Sequence, residues 1–288
     1  MTDHHTTTLS SRSRTVHIHR DLPTVIIGER INPTGRKTLQ SEMENHRFDA
    51  VKTDAVAQVR SGAAVLDVNA GVPGGDEPAL LREAVRAVMS ATDVPICIDT
   101  ANPEALAAAL EVYEGKPLVN SVTGESRSLD SMLPLVQAHG AAVIGLCMDD
   151  DGIPGRPEGR LAVAEKIVER AAALGIPAED VVIDPLVLTV GTDSEAAAVT
   201  LEAARRISSA LGANIAMGAS NVSFGLPDRR SLNAAFIAIA ICAGLNCPIT
   251  NPLDPDVTTA VFAADLLLGK DEWGERWIAA YRSRRPPP

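Results

Sequence analysis

Aromatic residues are scarce: two Trp, two Tyr and four Phe make up 3% of the 288-residue chain. A core must therefore be built from Ala, Val, Ile and Leu, which suits strands buried on both faces and Ala-rich helices. A basic surplus is missing too, the formal net charge being −11. That excludes non-specific nucleic-acid binding, which needs cations to neutralise phosphates. No apolar run reaches the roughly 18 residues of a membrane span, and the N-terminus lacks the apolar stretch of a secretory signal. The chain is expected to be cytoplasmic, without membrane or nucleic-acid partners. The cysteines Cys97, Cys147, Cys242 and Cys247 lie far apart without the pairing of a zinc site. They are expected as buried, reduced thiols. His4, His5, His17 and His19 read as part of a solvated tail rather than as metal ligands. No Ser-His-Asp set, Cys-His pair or metal triad can be assembled.

What the chain does have is 45% hydrophobic residues in a regular strand–helix alternation. Residues 1–21, polar and rich in Thr, Ser, Arg and His, read as a flexible leader, and 283–288, ending Pro286-Pro287-Pro288, as a tail. Between them, 22–282, strands are predicted at 25–28, 64–68, 95–98, 118–119, 142–148, 181–183, 214–217 and 247–250. Helices are predicted at 49–61, 77–90, from Pro103, and at 128–138, 160–173, 194–211, 230–243, 256–268 and 271–281. Pro103 sits where a helix's first turn tolerates it, and Gly62, Gly175 and Gly244 follow helix ends. Eight strands, each followed by a helix, predict a single α/β domain, a (β/α)8 TIM barrel. A doubly wound open sheet uses the same alternation, but no Gly-x-Gly-x-x-Gly follows the first strand.

Polar residues gather where the predicted strands end: Glu29, Asn32, Asp67, Asn69, Asp99, Asn120, Asp184, Ser220, Asn221 and Asn251. In a barrel these ends converge on the face that carries active sites. The pocket so implied is lined by acids and amides, with Arg30 the only basic residue in the set. A carboxylate accepts hydrogen bonds only, and so suits a ligand edge made of N–H donors; an Asn both gives and takes. A nitrogen-rich ring such as a pterin fits this inventory and a phosphate does not. Ser220-Asn221, after the seventh strand, is the stretch on which the chemistry is expected to turn.

The segments Gly28-Glu29-Arg30-Ile31-Asn32, Leu66-Asp67-Val68-Asn69, Cys97-Ile98-Asp99-Thr100, Val119-Asn120-Ser121, Ile183-Asp184-Pro185 and Ser220-Asn221-Val222-Ser223-Phe224 resemble, in order, the motifs of a known family. It is that of the methyltetrahydrofolate:corrinoid protein methyltransferases, pterin-binding barrels whose motifs also occur in the folate domain of cobalamin-dependent methionine synthase. The resemblance covers about 25–270. It implies that tetrahydrofolate or 5-methyltetrahydrofolate is a substrate, its pterin held by Asp99, Asn120 and Asp184, with Ser220, Glu29, Asn32, Asp67 and Asn69 nearby. It implies that Asn221 approaches N5, the methyl-bearing nitrogen, and acts catalytically. It further implies a corrinoid (cobalamin) carried by a partner protein, a homodimer, and in some settings a second methyltransferase of a demethylase system.

Two alternatives are kept. A dihydropteroate synthase-like enzyme needs cations near the seventh and eighth strands for a diphosphate leaving group, where this chain has Ala219-Ser220-Asn221 and Thr250-Asn251. A non-catalytic folate-binding subunit would bind without turnover.

Overall fold

The first structured segment lies within the stretch that the sequence reading assigns to a flexible leader. The structure, a computed structural model, describes residues 4–283, and in it β1 (Thr7–Ser10) and β2 (Thr15–Ile18) form an antiparallel hairpin. Its period-two pattern turns Thr7, Leu9, Val16 and Ile18 inward and Thr15 and His17 outward. Asn214 Nδ2 ties the hairpin down by donating to Thr7 Oγ1 at 2.9 Å and to Ile18 O at 3.0 Å. Ser10 and Lys116 exchange backbone hydrogen bonds at 2.9 and 3.0 Å. The leader is thus corrected to a structural plug from Thr7 to Ile18. Of the predicted C-terminal tail, residues 284–288 lie outside the described residues.

After the hairpin come β3 (Ile27–Ile31), α1 (Lys37–Glu44), α2 (Asp49–Arg60), β4 (Val65–Val68), α3 (Glu77–Ala91), β5 (Ile96–Asp99), α4 (Pro103–Leu110), β6 (Leu118–Thr123), α5 (Ser126–His139) and β7 (Ala142–Leu146). The chain continues with α6 (Pro157–Ala173), β8 (Val181–Asp184), α7 (Ala196–Leu211), β9 (Ile215–Gly218), α8 (Arg229–Cys242), β10 (Leu245–Thr250), α9 (Pro255–Leu267) and α10 (Glu275–Ser283). The eight strands β3–β10 close a parallel barrel, β10 pairing with both β9 and β3. This is the predicted (β/α)8 fold. Helix α1 was not predicted. Its apolar side is only Leu39 and Met43, four residues apart.

Three helices share one entry device. Asp76, Asn102 and Asp254 accept from the backbone N–H of Ala79, Glu104 and Asp256, at 3.2, 3.0 and 3.0 Å, with a proline in each first turn. The caps satisfy N–H groups that have no partner inside the helix, and the proline surrenders one that needs none. Below each cap an apolar stripe, such as Leu80, Leu81, Ala84, Val85 and Val88 of α3, packs on the sheet.

The strands divide their residues between two cores. Those facing the helices include Leu66, Ile96, Ile98, Val119, Val143, Val181, Ile183 and Ile215. Those facing the barrel interior are Ile27, Val65, Cys97, Leu118, Ala142, Ile144, Val182, Ala216, Cys247 and Ile249, closed from below by Leu9, Val16 and Ile18 of the hairpin. Hairpin and barrel therefore share one core. Cys97, Cys147 and Cys247 are buried free thiols, as expected; Cys242 is exposed, because it ends α8 on the outer side, and corrects that part of the reading. Among the described residues no helix is long and apolar enough to cross a membrane.

Candidate active site

Stepping two residues up each strand from the apolar interior layer produces the site. Ile27 leads to Glu29, Val65 to Asp67 and then Asn69, Cys97 to Asp99, Leu118 to Asn120, and Val182 to Asp184. Alternation places each of these on the face of the residue two positions earlier. The interior is therefore apolar below and acid–amide above. Leu146 of β7 fills one position of the upper layer, and Gly218 of β9 leaves another open.

The side chains are linked in pairs. Asn120 Nδ2 donates to Asp67 Oδ1 at 3.0 Å, and Asn69 Nδ2 donates to Asp99 Oδ2 at 3.1 Å. Asn69 Oδ1 accepts from Gly71 N at 2.9 Å, so both ends of this amide are committed to protein. Ser220 Oγ donates to Glu29 Oε1 at 2.8 Å across the mouth. Asp184 Oδ1 accepts from Leu186 N at 2.7 Å, and Oδ2 from Gly218 N at 3.4 Å. Asn32, by contrast, caps its own turn, its Oδ1 accepting from Thr34 N at 2.9 Å, and Asn251 does the same for Leu253 N at 3.1 Å.

Asn221 stands apart. It lies in the 3-10 turn Ala219–Ser223 after β9 and is exposed to the mouth. A Cβ added at Gly218 would sit 3.1 Å from Asn221 Nδ2, so the missing side chain lets the amide lie over the strand end, beside Asp184's partner N–H. Gly28 is needed for a similar reason. The buried Gln58 carboxamide packs where its Cβ would be, at 2.5 Å, and Gln58 Oε1 accepts from Arg30 N at 2.9 Å, fixing the strand end that carries Glu29.

Two arginines that sequence reasoning missed hold the loops in place. Arg160 of α6, only 1% exposed, donates from Nη1 to Pro185 O and Leu186 O, both at 2.7 Å, and to Thr200 Oγ1 at 2.9 Å. It thus fastens the loop that gives Asp184 its Leu186 N–H. Arg229 donates from Nη2 to Ser220 O at 2.8 Å and from Nε to Ser223 Oγ at 3.0 Å, and stacks 5.5 Å from the Phe224 ring centre. It clamps the turn that carries Asn221. Neither could be found from strand-end position, since both belong to helices.

Burial dominates the electrostatics of the acids. It raises Asp184 to about 6, against the lowering pull of the Leu186 and Gly218 N–H groups and of Arg160. It raises Asp99 to about 6 as well, opposed by hydrogen bonds from Asn69 and Asp67. Asp67 is pushed well above the ordinary carboxyl range by burial and then by the neighbouring Asp99 charge. Glu29 is also raised by burial, in part offset by Ser220. Taking a carboxylate out of water disfavours its charged form, and a further anion placed here would be disfavoured by the same environment. A ligand that brings N–H donors relieves it.

Fold and site together define a (β/α)8 barrel whose mouth is lined by acids and amides. The model of the family described as "Pterin binding enzyme" matches residues 28–251, and the chain belongs to that family. Over 272 residues the chain is 30% identical to a methylcorrinoid:tetrahydrofolate methyltransferase of Eubacterium limosum, covering 92% of this chain and 98% of that one. It is 28% identical over 256 residues to methionine synthase of Mycobacterium tuberculosis, covering 84% of this chain but 22% of that longer protein. Among solved structures, dihydropteroate synthase from Thermus thermophilus in complex with 6HMPPP superposes with a TM-score of 0.66 at 23% identity, covering 90% of this chain and 99% of that one. The dihydropteroate synthase of Yersinia pestis does so at 0.64 and 15%, covering 91% and 99%. These two likenesses concern the fold.

Proposed function

We propose that the protein is a methyltransferase that moves a methyl group from a corrinoid, carried by a partner protein, to N5 of tetrahydrofolate. The observation that carries this reading is the mouth itself. Asp99, Asn120 and Asp184 each lie two residues beyond an interior apolar residue, on β5, β6 and β8, and the exposed Asn221 lies against Gly218 at the end of β9. The end-to-end similarity to a methylcorrinoid:tetrahydrofolate methyltransferase supports it, including the direction proposed for the transfer.

Asp184 keeps one free lone-pair direction on each oxygen after its two backbone partners are counted. Those two acceptors match the parallel donors of a pterin's amino group and adjacent ring N–H. Asn120, with one N–H of its amide on Asp67, presents its carbonyl oxygen to the ring, and Asp99 presents a second acceptor beside it. When bound, the corrinoid would supply the methyl group and would keep the electron pair of the broken carbon–cobalt bond. Asn221 Oδ1 accepts the N5–H of tetrahydrofolate, which turns the nitrogen lone pair toward the incoming methyl. As the N5–CH3 bond forms, the N5 proton leaves past the exposed Asn221 to water. An amide has no proton of its own to trade near neutral pH, so its contribution is to stabilise charge that grows on N5 in the transition state.

The test mixes the purified protein with methylcobalamin and tetrahydrofolate, then with reduced cobalamin and 5-methyltetrahydrofolate, and follows the cobalt spectrum. Demethylation of the corrinoid with matching formation of 5-methyltetrahydrofolate is expected. Folate binding with no transfer in either direction would leave only the non-catalytic folate-binding reading.

A further inference from the structure

Asn221 is exposed on the 3-10 turn Ala219–Ser223, its Nδ2 lying 3.1 Å from where a Cβ on Gly218 would be. Where that amide sits is therefore set by what holds the turn. On one side the ties come from α8 and from the loop after β8. Arg229 Nη2 donates to Ser220 O at 2.8 Å, and Ser223 Oγ donates to Asn233 Oδ1 at 2.6 Å. Val190 N donates to Val222 O at 3.0 Å, and Thr189 Oγ1 to Phe224 O at 2.7 Å. From the other side comes Glu29, whose Oε1 accepts from Ser220 Oγ at 2.8 Å. Glu29 stands on β3, which the barrel order separates from β9 by β10.

Glu29 shares the polarity of the pterin acceptors but not their arc of the mouth. Asp99, Asn120 and Asp184 belong to β5, β6 and β8, whereas β3 lies beyond β4 on one side and beyond β9 and β10 on the other. Glu29 and Ser220 are both half-buried, so the bond between them is partly sheltered from water and stronger for it. The Ser220 hydroxyl has one proton to give, and Glu29 takes it.

We infer that Glu29 and Ser220 are positioning residues, a latch from β3 to the residue before Asn221 that holds the Asn221 amide in place for N5 without contacting the pterin. Opening the latch frees the turn on its β3 side while Arg229, Asn233, Thr189 and Val190 keep it on the other. The turn then stays folded but shifts, and the loss falls on the methyl-transfer step rather than on binding of the ring. For N5 the inference rests on the pterin reading; the latch itself does not.

The test separates positioning from contact. Ser220→Ala removes the donor and Glu29→Leu the acceptor. Each should slow single-turnover transfer from methylcobalamin to tetrahydrofolate about tenfold to a hundredfold, the scale of a misplacement near 1 Å, with tetrahydrofolate Kd within about threefold of wild type. Ser220→Thr keeps the hydroxyl and Glu29→Gln keeps an acceptor, so both should restore the rate to within about threefold. In an Asn221→Ala background Ser220→Ala should cost less than about twofold, because the latch acts only through Asn221. A Kd raised tenfold or more, Glu29→Gln as slow as Glu29→Leu, or a full loss persisting in the Asn221→Ala background would overturn the inference. A second arm needs neither folate nor corrinoid. In ligand-free protein carrying 15N-labelled asparagine, the Asn221 side-chain NH2 signals are identified by their loss in Asn221→Ala. They should shift or broaden in Ser220→Ala and Glu29→Leu and stay in place in Ser220→Thr and Glu29→Gln. Signals unmoved in Ser220→Ala and Glu29→Leu would also overturn it. A wild type that transfers no methyl would defeat the proposed reaction alone, because the NMR arm still decides the latch.

Discussion

Replacing Asp184 by Asn changes one atom of a 5%-exposed side chain and should disable the mouth as a pterin site. Both carboxylate oxygens already take a backbone N–H, from Leu186 at 2.7 Å and Gly218 at 3.4 Å, and each retains one direction for a ligand donor. In Asp184→Asn one oxygen becomes an NH2. One charge-assisted bond is lost, worth about 1.5–3 kcal/mol, and a buried donor is left facing another donor, costing about 1–3 kcal/mol more. Together these predict a rise in tetrahydrofolate Kd of about 10²–10⁴, at about 1.4 kcal/mol per factor of ten. The pH dependence supplies an internal check. Asp184 and Asp99 are both raised to about 6 in the free protein, and donor edges bind their ionised forms. Wild-type affinity should therefore be flat above that range and fall as pH drops through and below it, with the two groups each contributing about a factor of ten per unit. In Asp184→Asn only the Asp99 contribution remains, so the acid slope should halve. Isothermal titration calorimetry under anaerobic conditions from pH 5 to 8 reads both quantities. A variant within threefold of wild type at pH 7.5, or an unchanged acid slope, would refute the reasoning.

Asn221→Ala should lower the methyl-transfer rate by about 10²–10⁴, the range for help from a positioned group, while folate affinity changes less than tenfold; equal losses in rate and affinity, measured by single-turnover kinetics and calorimetry, would argue against its place at N5. Leu9→Ala should cost about 2–5 kcal/mol in denaturant unfolding, as expected for a fully buried leucine, with folate affinity at the opposite end of the barrel unaffected; a loss under about 0.5 kcal/mol would mean that the hairpin does not plug the barrel. Arg160→Met should destabilise the protein on the order of 3 kcal/mol by removing the donor from Pro185 O and Thr200 Oγ1 and leaving Leu186 O only the Thr200 hydroxyl, and should weaken folate binding through the Asp184 loop. Full affinity in a destabilised Arg160→Met would separate the loop from the site.

Much of the barrel could be read from the chain because parallel strands buried on both sides are short apolar runs, each here ending in a polar residue. The phase of that ending carried further. Glu29, Asp67, Asp99, Asn120 and Asp184 lie two residues beyond an interior apolar residue, so the alternation that makes the core also brings these acids and amides together. Three things were not legible. The hairpin was hidden by its polar composition, although Thr-Thr-Leu-Ser and Thr-Val-His-Ile alternate with period two around a Ser/Arg turn and bury Leu9, Val16 and Ile18. Asn32 resembles the other strand-end amides in sequence but turns back on Thr34, which depends on a local turn that spacing does not reveal. Arg160 and Arg229 act on loops from α6 and α8, and nothing in their helical pattern marks them. Arg160 could have drawn attention only as an arginine in phase with the buried Val163, Ala164 and Ile167.

The proposed placement of tetrahydrofolate is tested by a crystal structure of the protein soaked with it. The amino-bearing edge of the pterin should meet Asp184, the ring should contact Asp99 and Asn120, and N5 should lie within hydrogen-bond reach of Asn221. A folate bound elsewhere on the barrel, or seated in the mouth with N5 turned away from Asn221, would contradict it.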